Sequence, residues 1–254
     1  MSEQRIVELA EVRAACKSCS LFHLCLPMSV GSADLEQLDR IIKRRRPLKR
    51  GEHLFRMGDN FQNVYAVRSG SVKTYTATED GQEQITGFHL PGELVGLDAI
   101  SDVQHPCGAK ALETTSLCEI PFEQLEDLGN KIRGLQHHLY RIMSKEIIKD
   151  ENMLMLLGKM TAEERLATFL LGISARFKQR GFSATEFYLS MSRNDIGNYL
   201  GLAVETVSRL FTRFQEEGLL SVERKHILIH DLARVQALAG RKTTFQPQAS
   251  DKLG

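Results

Sequence analysis

The chain has 254 residues and a mass of 28.6 kDa, room for one large domain or two modest ones. A hydrophobic fraction of 42% excludes a disordered chain, and a net charge of +1 excludes a histone-like polycation. No apolar run approaches the roughly 18–20 residues of a membrane helix, and the charged opening MSEQRIVELAEVRAACKSC lacks the apolar centre of a secretory signal. The expectation is a soluble, cytoplasmic protein with no membrane partner. Thiols stay reduced there, so the five cysteines point to metal binding, redox chemistry or burial instead of disulfides.

Residues 1–30 hold three of the cysteines and little periodicity. The amphipathic stretch LEQLDRIIKRRRPLKR (35–50) runs into a base-rich end, Lys43–Arg50, which reads as a solvated helix end. From 52 to 120 the pattern is one of short strands: HLFRM, NVYAVR, VKTYTAT, EQITGFHL and LCEIPF. The turn signals GDN, RSGS, EDGQ and LPGE separate them, as in an antiparallel barrel or roll. Pro121 is placed to open a helix, and Lys131–Gly158 predicts one helix of about 40 Å. Thr161-Ala-Glu-Glu164 has the form of a capping box opening the next helix.

EFYLSM, SRNDIGNYLGLAVETVSRLFTRFQEEG and LLSVERKHILIHD then read as a strand, two helices and a hairpin. The helices, near Arg193–Leu200 and Val204–Glu216, are separated by about three residues around Gly201, and a turn that short makes them cross steeply as a helix-turn-helix. Ser192 with Asp195 caps the first, and Gly218 ends the second. Glu205, Ser208 and Arg209 share one face of the second helix, with Val207, Leu210 and Phe214 expected on the buried face. Arginine can bond guanine bidentately, glutamate can accept from cytosine, and serine can contact several groups, so the trio is expected to read base edges of double-stranded DNA. Arg213, one turn on, suits a phosphate. From Thr161 onward there are about 13 bases against 10 acids, the more basic part of the chain.

Cys16-x2-Cys19-x5-Cys25 brings three thiols within ten residues, which suits a soft metal or an iron–sulfur cluster with a fourth ligand elsewhere. The candidates are Cys107, in the polar stretch DVQHPCGAK, and Cys118, in the strand LCEIPF. Spacing alone leaves zinc and a cluster both open. The eight histidines are scattered and form no catalytic constellation, so no enzyme is expected.

Four segments carry a specific resemblance: the cysteine run from Cys16 through Cys25-Leu-Pro, EQITGFHLPGELVG (83–96), ALETTSLCEIPFE (111–123) and DIGNYLGLAVETVSRLFTRFQ (195–215). In these the chain resembles the fumarate and nitrate reduction regulators of the cyclic-AMP receptor superfamily, over nearly its whole length. The resemblance implies an α+β fold: a cysteine-bearing segment (1–30), an antiparallel β-roll sensor domain (31–128), a long dimerisation helix (129–158), a winged helix-turn-helix (159–240) and a flexible tail (241–254). It implies an oxygen-labile [4Fe–4S] cluster on Cys16, Cys19, Cys25 and Cys118, with Cys107 a spare thiol, and half-sites resembling TTGAT in an inverted repeat. It also implies an RNA polymerase contact at the turn Asp80, Gly81 and Gln82. Gly92-Glu93-Leu94 is present, but His105-Pro-Cys107-Gly replaces the Arg-Ser pair that holds a cyclic phosphate in nucleotide-binding members, so no cyclic nucleotide is expected.

Along the long helix, Tyr140, Met143, Ile147, Asp150, Leu154 and Leu157 recur at steps of three and four, the seam of a two-stranded coiled coil broken by Asp150. A homodimer is expected, held weakly because two Asp150 carboxylates would face each other. A regulator with structural zinc and an iron–sulfur redox protein are the alternatives.

Overall fold

A computed structural model describes residues 16–78 and 80–240. The charged opening, Glu79 of the hairpin turn and the expected tail from 241 lie outside the described residues. The chain divides into two compact units, 1–148 and 149–254.

In the first unit, two short 3₁₀ turns (Cys16–Ser18 and Leu26–Ser29) precede α1 (Leu35–Ile41). Eight strands follow: β1 (Lys43–Arg44), β2 (His53–Phe55), β3 (Asn63–Ser69), β4 (Val72–Ala77), β5 (Glu83–His89), β6 (Leu94–Val95), β7 (Gly108–Ala111) and β8 (Ser116–Pro121). They form two antiparallel sheets, ordered β1-β8-β3-β6 and β2-β7-β4-β5. Helix α2 (Phe122–Lys131) begins directly after Pro121, whose fixed φ and missing N–H suit a helix start. Helix α3 (Arg133–Lys159) follows. Strands β1, β6 and β7, each only two to four residues long, are too short to show a strand pattern in the sequence, and Cys107, expected in a polar loop, is buried beside β7.

Strand periodicity sorts the unit into two cores, because successive side chains point to opposite faces. Tyr65, Val67 and Leu117 join Phe55, Val72, Val95, Ala109 and Cys107 in one cluster. Their neighbours Val64, Ala66, Cys118 and Ile120 turn to the other, with Cys16, Leu26, Val30, Leu38, Leu125 and Leu135. The cysteine segment, which has little periodicity of its own, borrows its apolar neighbours from the sheet and three helices. Cys107 and Cys118 lie in different cores.

The second unit takes up the end of α3, then α4 (Ala162–Gln179), β9 (Glu186–Tyr188), α5 (Arg193–Leu200), α6 (Val204–Glu216), β10 (Leu220–Glu223), β11 (His226–Ile229) and α7 (Leu232–Leu238). The strands form an antiparallel sheet ordered β10-β11-β9. Both expected capping boxes are present: the Thr161 hydroxyl accepts from the Glu164 N–H while the Glu164 carboxylate accepts from the Thr161 N–H, and Ser192 with Asp195 repeats the pattern. Gly201 ends α5 at φ 62°, a left-handed conformation that glycine adopts without a side-chain clash. Among the described residues no helix is long and apolar enough to cross a membrane.

Candidate cluster pocket and nucleic-acid interface

The cysteine segment coils in short turns: Cys19 N–H donates to the Cys16 carbonyl, Phe22 N–H to Cys19, Cys25 N–H to Leu21 and Met28 N–H to Cys25. Cys16 is further held by its N–H donating to the Asp39 carboxylate at 3.1 Å. Cys118 enters from β8, paired in register with Ala66 on β3 and Arg44 on β1. The outcome is one open pocket lined by Cys16, Cys19, Cys25 and Cys118, with Phe22, Ala66, Arg68 and Ile120 among their neighbours. Cys107 is absent from that lining, 4% exposed in the other core.

Burial pushes the thiols of Cys16 and Cys25 up to about 12, with Asp39 adding to the effect at Cys16. Burial also raises Cys118, opposed by the positive charges of Arg44 and Arg68. These are protonated thiols at neutral pH, and only a cationic ligand would draw them to thiolates. All five cysteines are free thiols. Among the described residues, no three His, Cys, Asp or Glu side chains converge closely enough to hold a single metal ion. A donor set spread around a pocket fits a polynuclear group better than one ion at about 2.3 Å from each sulfur.

The first turns of α3 press on this segment. Gly134 sits so close to it that a Cβ there would collide with the Ser29 carbonyl oxygen. One turn on, His138 is 5% exposed, and burial, helped by the charges of Arg141 and Lys145, lowers its pKa against the opposing pull of the Cys25 backbone. Leu135 lies in the same core as Cys16 and Leu26, with Leu139 and Ile142 packed against it. Of the expected seam, Tyr140, Ile147 and Leu154 are 59%, 60% and 73% exposed, one residue in every seven, whereas Leu135 and Leu156 are buried. Asp150 is exposed too, and Met143 and Leu157 are half-buried.

On α6, Glu205, Ser208 and Arg209 are exposed together. The buried face is Val207, Phe211 and Phe214; Leu210, expected there, is only half-buried, because the helix turns Phe211 inward. The Ser208 hydroxyl donates to the Val204 carbonyl at 2.9 Å, which leaves its lone pairs free to accept from a base amino group. Arg213, expected to meet a phosphate, is tied by its Nε to Glu217 at 2.7 Å and by a terminal nitrogen to Glu163 at 3.2 Å. Two arginines escaped the sequence reading. Arg193 stacks 3.2 Å over the Phe211 ring, with burial lowering its pKa to about 10, and Arg165 binds three backbone carbonyls. Only i, i+4 spacing is visible in a sequence, and neither partner lies at that spacing on the same helix. The Asp80 carboxylate accepts from the Thr78 hydroxyl and the Gln82 amide, which stiffens the β4–β5 turn.

Residues 45–131 match the cyclic nucleotide-binding domain family and residues 189–220 the crp family of bacterial regulatory proteins. The chain is 58% identical over 231 residues to the transcriptional activator protein Anr of Pseudomonas protegens, covering 91% of this chain and 95% of that one. It is 53% identical over 225 residues to the fumarate and nitrate reduction regulatory protein of Yersinia pestis, covering 89% and 90%. Among solved structures, FixK2 of Bradyrhizobium japonicum is similar at a TM-score of 0.72 and 32% identity, over 78% of this chain and 97% of that one. The chain is a transcription regulator and not an enzyme, and it belongs to the fumarate and nitrate reduction regulators of the cyclic-AMP receptor superfamily.

Proposed function

We propose that the protein is a cytoplasmic, oxygen-sensing transcription regulator of anaerobic metabolism, acting as activator or repressor at TTGAT-like inverted repeats. The observation that carries this reading is the meeting of Cys16, Cys19, Cys25 and Cys118 in one pocket, from chain segments about a hundred residues apart. Those four would hold a [4Fe–4S] cluster, which when bound supplies sensitivity to oxygen. The chain's own part is mechanical. Ser29 against Gly134, and the core shared by Cys16, Leu26 and Leu135, make the placement of α3 depend on how the cysteine segment is held. The exposed stripe of Tyr140, Ile147 and Leu154, with Met143, Asp150 and Leu157, is the homodimer seam. Two copies would then present Glu205, Ser208 and Arg209 to successive major grooves.

Arg213 reaches a phosphate only by giving up Glu163 and Glu217, so base readout rests chiefly on Arg209. The turn Asp80-Gly81-Gln82 is the candidate RNA polymerase contact. Cyclic nucleotide is not a ligand in this reading: in the loop where a phosphate would need arginine, the neutral His105 ring is buried and stacked on Phe55 at 3.6 Å. Anaerobic purification with iron, sulfide and absorption analysis tests the proposal. A brown protein that bleaches in air is expected. A colourless protein with stoichiometric zinc would overturn it.

A further inference from the structure

Two helix ends meet at one guanidinium in the second unit. Arg165, in the first turns of α4, donates from Nε to the Met160 carbonyl at 3.0 Å. Its two terminal nitrogens donate to the carbonyls of Leu200 at 3.0 Å and Leu157 at 2.8 Å. Leu157 lies in the last turn of α3, Met160 just beyond it, and Leu200 is the final residue of α5. Carbonyls at helix C-termini lack partners within the helix and carry the negative end of its dipole, so a fixed cation is the group that satisfies them. Gly201 supports the same joint: a Cβ there would lie 3.4 Å from Leu157 Cδ2 and 3.5 Å from an Arg165 terminal nitrogen. The end of α5 thus abuts the end of α3, and α6 starts after three intervening residues.

We propose that Arg165 is the residue that sets operator spacing. By clamping the end of α5 to the end of α3, it holds the recognition helix at one position relative to the helix that pairs the two copies. Two such clamps in a dimer fix the separation of the recognition helices, and with it the distance between half-sites that both can engage. The role demands a planar fork bonding in three directions; the lysine ammonium, a point charge on a flexible stem, cannot hold three fixed carbonyls in the same way. This inference rests on the reading of α3 as the dimer seam and α6 as the DNA reader. Arg165 touches no base and acts only by positioning.

The test uses the full chain purified anaerobically, as wild type, Arg165→Lys and Arg165→Met. Binding is measured on duplexes carrying the inverted repeat at its native spacing and with one or two base pairs added or removed at the centre, and dimerisation is followed by sedimentation. Wild type should prefer one spacing. Arg165→Met should lose roughly tenfold or more on that duplex and change by less than about threefold on the others, so the preference narrows. Arg165→Lys should fall between, and both should remain dimers. A proportional loss at every spacing would reduce Arg165 to a stabilising role and overturn the proposal. If Arg165→Met does not fold, Arg165→Lys decides, and a wild-type spacing preference in it overturns the proposal. A wild type that binds no inverted repeat would instead overturn the underlying reading of α3 and α6.

Discussion

Asp150→Ala removes one carboxylate from each side of the proposed dimer seam on α3. Around it, Tyr140, Ile147 and Leu154 expose 59%, 60% and 73% of their surface, so pairing two helices there covers apolar area at every second turn and traps Asp150 between. Two carboxylates about 6 Å apart repel by roughly 3 kcal/mol at an effective dielectric of 20 and by about 0.7 kcal/mol in water. Asp150 already interacts within its own chain, which pulls the figure down, while covering Ile147 and Leu154 dries the seam and pulls it up. The substitution should therefore tighten self-association by between about threefold and a hundredfold. Sedimentation of air-exposed wild type and variant reads the effect, with binding to the inverted repeat as a second assay. A dimeric, DNA-binding variant beside a monomeric wild type is the expected result. Two monomers would refute the reasoning, and so would two dimers, since repulsion would then not govern assembly.

Cys118→Ser should abolish iron binding while Cys107→Ser leaves it nearly intact, because Cys107 faces the other core; iron analysis of the two anaerobic variants checks the assignment. Arg209→Ala should cost about 1–3 kcal/mol and relax preference at one guanine, measured on a panel of single-base operator variants, whereas equal loss at all of them would make Arg209 a phosphate clamp. In cluster-free protein the Cys16 and Cys25 thiols, pushed up to about 12 from 9.0, should react slowly with iodoacetamide at pH 8 compared with urea-unfolded chain. Because the folded form holds these protons more tightly, their stabilising contribution is present below pH 9 and is lost as pH rises towards 12. The melting temperature should fall over that interval, and less steeply in Cys16→Ser. Substituting Asp80 or Gln82 should lower transcription without lowering operator binding, tested by parallel transcription and binding assays.

Elements with local causes are readable from the residues alone. The capping boxes at Thr161 and Ser192, the left-handed Gly201 and the heptad of apolar residues on α3 each need only neighbours within a turn or two, so their residue types announce them. The three clustered cysteines and the exposed trio on α6 are legible for the same reason. Which distant groups share a face follows instead from packing through space. Spacing leaves Cys107, in a polar stretch, and Cys118, in a strand, both open as the fourth thiol; the register of β8 with β3 turns Cys118 towards the cysteine segment, while Cys107, just before β7, is buried in the opposite core. Phe211 takes the place expected of Leu210 on the buried face, since steps of three and of four from Val207 both fit a helical stripe and only packing selects between them. Arg213 meets Glu163 and Arg165 meets Leu200 only once helices distant in sequence are packed. Local hydrogen bonding and periodicity act over a few residues of chain, whereas these partners are chosen by close packing through space.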